Sequence, residues 1–150
     1  MNNEILLQLF ERDLLKLKKE IEAYNSEDAM WKIDKNITNS GGNLCLHLIG
    51  NLKTYIGASL ANTGYQRNRE FEFAGKGVSK EELIEGIVET IEVVKKGIGN
   101  LKESDMDKDY PVVIWKSPTH TQFTLIHLHS HLNYHLGQIN YHRRFFDVEI

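Results

Sequence analysis

Apolar residues spaced three and four apart recur in four separate stretches of this 150-residue chain, and that spacing commits it to helices. Leu6, Leu9, Phe10, Leu14, Leu17, Ile21 and Tyr24 mark the first stretch. Glu11, Asp13, Lys16, Lys18, Lys19, Glu20 and Glu22 read as its charged outer face. The second begins after Asn39–Ser40–Gly41–Gly42, where Ser40 or Asn39 can cap the free N–H groups. It runs through Leu44, Leu48, Leu52, Tyr55 and Leu60 to a stop at Asn62–Thr63–Gly64. The third opens on Ser79–Lys80–Glu81–Glu82, a capping box, and continues through Leu83, Ile87, Ile91, Val94, Ile98 and Leu101. The fourth is predicted from Ser117–Pro118–Thr119, with Thr119 and Gln122 as a second box. Phe123, Ile126, Tyr134 and Ile139 carry it to the neighbourhood of Phe145.

Four helices of roughly 22 to 27 residues, about 33 to 40 Å each, predict an all-α four-helix bundle forming one domain over residues 1–150. The connections 25–38, 62–78 and 102–117 are long for such a bundle, and long loops in small domains tend to carry function. Val112–Val113–Ile114 is expected to form a short extended piece.

Charge removes several function classes. Lys and Arg number 18 against 21 Asp and Glu, so the basic excess of a nucleic-acid binder is missing. Apolar runs such as Pro111 to Trp115 are far too short to span a bilayer, so no membrane partner is expected. Glu4, Glu11 and Asp13 argue against a secretory signal. The lone Cys45 excludes an intrachain disulfide, fits a reducing cytoplasm, and is assigned to packing.

Histidine is the one residue in excess, with four of seven falling between His127 and His135. His127, His131 and His135 recur every fourth residue, which places neighbours one helical turn apart, at chelating distance. His129 points the other way and is expected to be exposed, and His142 lies near the helix end. His47 sits in the apolar stripe of the second helix and should face the interior. Spacing alone leaves two readings open: core histidines satisfied by hydrogen bonds, or ligands of one divalent metal.

The stretch His131-x-x-x-His135-x-Gly137-Gln138-Ile139, preceded by a lone histidine in the second helix, resembles the DinB-like superfamily of DNA-damage-inducible bundle proteins. Gly42-Asn43-Leu44-Cys45-Leu46-His47-Leu48-x-Gly50-Asn51-Leu52 and Thr63-Gly64-Tyr65-Gln66-Arg67-Asn68-Arg69-Glu70 are similar to an uncharacterised branch of it. The resemblance spans the whole chain. It implies a DinB-like bundle holding a divalent transition metal through His47, His131 and His135. Zinc or nickel ranks first, then iron, cobalt or manganese. Three neutral ligands leave coordination positions for water or substrate, as catalytic sites do. The resemblance further implies a metal-dependent thiol S-transferase or hydrolase acting on a small-molecule substrate, with a low-molecular-weight thiol as partner. The alternative is a non-catalytic metal or small-ligand binding protein of stress physiology. No residue stands out as general acid or base.

Around that site, Asn51 is expected to orient His47 from one turn away, and Gln138 to support the site or a buried backbone group. Gly137 reads as a point of close helix approach. The segment from Tyr65 to Phe73 reads as a loop pinned by Phe71 and Phe73 with solvated arginines, or as a lid offering Arg67 or Arg69 to an anion. Met30, Trp31, Val112 to Trp115, Phe145 and Phe146 lie outside the four stripes, and with the resemblance they predict a homodimer.

Overall fold

The computed structural model describes residues 2–148. They form helices, turns and irregular segments, with no strand among the described residues. Helix α1 spans Asn3–Glu22, capped by the Asn2 side chain, which accepts from the Glu4 N–H at 2.8 Å. A short α2 covers Glu27–Met30, and α3 covers Gly41–Leu52 with Ser40 as its cap. From α3 the chain continues through a π-helical segment, Lys53–Ala58, to Leu60. Helix α4 is Arg69–Ala74, α5 is Lys80–Gly99, and α6 is Thr121–Phe146.

The four long elements close on one another: α1 packs on α5 and α6, and α3 packs on the same two. Between them lie Phe10, Leu14, Leu17 and Ile21, Leu44, Leu48 and Leu52, Leu83, Ile87 and Ile98, and Leu125, Leu132 and Ile139, all buried. Each such side chain contributes about 1.5–3 kcal/mol when withdrawn from water. The capping box of α5 forms as the sequence specified, with Ser79 and Glu82 exchanging side-chain-to-backbone bonds.

Four expectations are corrected. Asp13 is not on the outer face of α1 but fully buried against α6. Nor does α6 begin with a box at Thr119. His120 stands at its N-cap without a side-chain capping bond, its ring turned to the Asp107 carbonyl, and Thr119 instead pairs with the Thr124 hydroxyl at 2.7 Å. The core stripe of α6 is the leucine column Leu125, Leu128, Leu132 and Leu136, which turns Phe123, Ile126 and Tyr134 outward. In the second long helix the wider π turn carries Ile56 into the core and leaves Tyr55 half-buried.

The long connections are less loose than expected. Residues 25–38 hold α2, whose Met30 is fully buried, and Trp31 lies so close to α3 that a Cβ on Gly42 would meet its ring at 2.6 Å. Residues 62–78 hold α4. In 102–117, Val112–Ile114 is irregular, and only the isolated Asp109–His120 bridge has extended pairing.

Candidate metal centre

Helix α3 turns His47 inward, and α6 brings His131 and His135 to meet it. The Nε2 atoms of His47 and His131 are 3.1 Å apart, and those of His131 and His135 also 3.1 Å. All three nitrogens lie within 4.8 Å of one another. Ligand nitrogens at about 2.0–2.1 Å from a tetrahedral zinc stand about 3.3 Å apart, so the spacing fits a shared ion.

In two of the rings the far side decides which nitrogen carries the proton. His47 Nδ1 donates to Glu72 Oε1 at 3.0 Å, which leaves the Nε2 lone pair aimed at the cluster. His135 Nδ1 donates to Gln138 Oε1 at 2.7 Å with the same result. Glu72 is itself fixed. Arg67 grips both its oxygens at 2.8 Å, and Asn43 holds the α4 backbone through the Glu72 and Gly75 carbonyls. Gly50 makes this possible, because a Cβ there would lie 2.1 Å from Glu72 Oε2. Among the described residues, His131 Nδ1 is buried without a partner, as is Asn51 Oδ1.

Burial lowers the pKa of His47 and His135 below the ordinary imidazole value, partly opposed by the hydrogen bonds to Glu72 and Gln138. In His131 burial, reinforced by the neighbouring His135 and His47, pushes it down to about 4. All three rings are therefore neutral at pH 7, the state a metal ligand requires. The donor set suits a divalent transition metal.

Above the cluster lies a cavity of about 340 Å³ whose walls include Asn51, Tyr55, Arg69, Ile114, Trp115 and His127. His127 packs edge-on against Trp115 at 4.6 Å, beside the triad rather than in it.

Several sequence assignments change here. Asn51 does not orient His47; Glu72, from a segment read as loop, does. Glu72 was hidden because a contact across 25 residues leaves no local spacing signal, and Asn68 capping a six-residue helix is the only hint. Arg67 is bound to Glu72 instead of standing free, whereas Gln138 supports the site as expected. Gly137 has open space where a Cβ would be, so close helix approach does not explain it. His129 is not exposed: its Nε2 donates to the buried Asp13 at 2.7 Å. His142 is buried at the α6 end, accepting from the Tyr24 hydroxyl at 2.7 Å and donating to the Lys32 carbonyl at 2.8 Å. Cys45 is buried as assigned.

The fold is similar to that of a solved structure described as a conserved protein from Enterococcus faecalis. The TM-score is 0.76 with 17% identity over 97% of each chain, a likeness of fold. No curated protein matches this chain in sequence. A family model does match over residues 6–149, and on that match the chain belongs to the family described as protein of unknown function, DUF1572.

Proposed function

We propose that this chain is a DinB-like four-helix bundle that binds a divalent transition metal through His47, His131 and His135 and uses it in thiol S-transfer or hydrolysis. The observation that carries this reading is the convergence of three Nε2 atoms, two of them with the opposite nitrogen anchored by Glu72 and Gln138. A bound divalent ion supplies Lewis acidity that brings a coordinated thiol or water to its reactive ionised form near neutral pH. The chain's own contribution is position and exclusion. Arg67 fixes Glu72, Glu72 fixes the His47 ring, and Gln138 fixes His135. Ile114, Trp115 and Leu128 give the cavity an apolar wall that limits water.

The test is elemental analysis of untagged protein purified without added metal. About one ion per chain is expected, falling to a small fraction in His131→Ala. Sub-stoichiometric metal that does not change in the variant would refute the site. Where metal is present, turnover of a thiol with an electrophile, or of an ester panel, marks an enzyme; metal without turnover marks a carrier.

We assign the outward stripe of α6 to a second copy of the chain. Phe123, Ile126, Tyr134, Tyr141 and Phe145 are between 48% and 72% exposed and share one face, with the small Ser130 and Gly137 between them. Val112, Val113 and Trp115 are also exposed, whereas Met30 is spent in the core. Light scattering should give a mass near twice 17.3 kDa, and a mass near 17.3 kDa at micromolar concentration would remove the dimer.

A further inference from the structure

The cavity above the histidine cluster carries an imbalance of charge. Two guanidinium groups line it, and among the described residues no carboxylate does. The one acidic side chain nearby, Glu72, is already committed, since Arg67 holds both its oxygens and His47 donates to one. Arg69 is different. It forms no ion pair among the described residues and lies over the Phe73 ring at 5.7 Å, while Phe73 rests on the His47 ring at 4.9 Å. The result is a positive charge at the cavity wall with no anion assigned to it.

A second observation concerns Asn51, which also lines the cavity. Asn51 is only 7% exposed, yet its amide makes no side-chain hydrogen bond among the described residues and its Oδ1 is fully buried. A buried polar group left without a partner costs about 1–3 kcal/mol, so such groups in working sites usually meet a ligand or water; Oδ1 can only accept, and the Nδ2 amino group is the part of Asn51 able to donate to an anion. Ile114, Trp115 and Leu128 contribute the apolar part of the lining.

We propose that this cavity recognises a carboxylate-bearing small molecule, its carboxylate held by the Arg69 fork and the Asn51 Nδ2 donor and its apolar body laid against Ile114, Trp115 and Leu128. The proposal rests on the reading of this cavity as the substrate pocket of the histidine site. A carboxylate is favoured over a phosphate because a single unpaired guanidinium matches one planar monoanion, and the second arginine of the cavity is already neutralised. A divalent ion at the triad would add positive charge and no anion, which strengthens the preference.

The test compares two isosteric probes, phenylacetate and the neutral phenylacetamide, by calorimetry on zinc-loaded protein and on protein stripped by chelating resin. Phenylacetate should bind about tenfold or more tightly than phenylacetamide, the difference expected for a charge-assisted fork. Arg69→Ala should erase that preference, and Arg69→Lys should restore part of it, while zinc content and melting temperature stay unchanged. Equal binding of the two probes, or binding of neither, overturns the proposal. A preference that survives Arg69→Ala also overturns it, because the carboxylate then sits on the ion. Tighter binding of inorganic phosphate than of phenylacetate overturns the choice of anion. If zinc does not bind but the Arg69-dependent preference persists in the stripped protein, the metal reading fails and this one stands.

Discussion

Acidifying the metal-free protein from pH 7 to pH 4 should cost it on the order of 3 kcal/mol through His131 alone. Its imidazole is pushed down to about 4 in the folded protein, against 6.5 in the open chain, by burial first and by His135 and His47 second. A depressed folded pKa means that the unfolded chain takes up the proton first. The stabilisation is therefore complete above about pH 6.5 and is lost as the pH falls toward 4. His47, His135 and His142 are shifted in the same direction by burial and steepen the loss. Urea titrations at half-unit intervals, with chelator present, give the profile directly. His131→Gln should make it shallower, and a flat wild-type profile between pH 7 and 4.5 would show that these rings are not buried and neutral. The metal-loaded form should fall more steeply over the upper part of this range, because protons then also compete with the ion.

Asp13→Ala is expected to destabilise the fold by about 2–4 kcal/mol, as much as truncating a large core side chain. The carboxylate is fully buried between α1 and α6. Burial by itself would raise its pKa, but hydrogen bonds from Arg12, Asn133 and His129 outweigh that and hold it well below the usual carboxylate range. Arg12 meets both oxygens at 2.8 and 3.0 Å, and Oδ2 also accepts from His129 at 2.7 Å and Asn133 at 2.9 Å. Removing the acceptor strands these donors, with the His129 ring still edge-on against Phe10 in the core. The lower part of the usual range for a broken buried pair applies, because Arg12 reaches solvent and can be rehydrated. Thermal unfolding should show a drop of roughly 5–15 °C, with Asp13→Asn less severe because it keeps one acceptor oxygen. A loss below about 1 °C would mean that the network contributes nothing net.

The two predictions fall on opposite sides of what local spacing can reveal. His131 and His135 were legible because a helix converts a four-residue interval into adjacency, and His47 because it interrupts an apolar stripe. Asp13 was not, since on a helical wheel one charged residue among six others at the edge of a stripe looks like surface. Only the arrival of His129 and Asn133 from α6 makes its burial tolerable. The same holds for Glu72, whose function depends on Arg67, on Gly50 and on a carboxylate path to His47 that crosses between elements.

In α6 the stripe read from the sequence was Phe123, Ile126, Tyr134 and Ile139, and only Ile139 of these is buried, because periodicity carries no label for which face turns inward. Packing chose the leucine column, which fills the space between α1 and α3 and rotates His131 and His135 toward His47. The helical class, the α3 and α5 starts at Ser40 and Ser79, and the three histidines were legible before any fold was known, because capping and helical spacing are local physics. The tertiary structure alone decided the α6 rotation, the burial of Asp13 and the Glu72–Arg67 support of His47. The contacts to His47 and Asp13 join residues 25 to 120 positions apart, the α6 rotation chooses between faces, and their energy exists only once the helices have met.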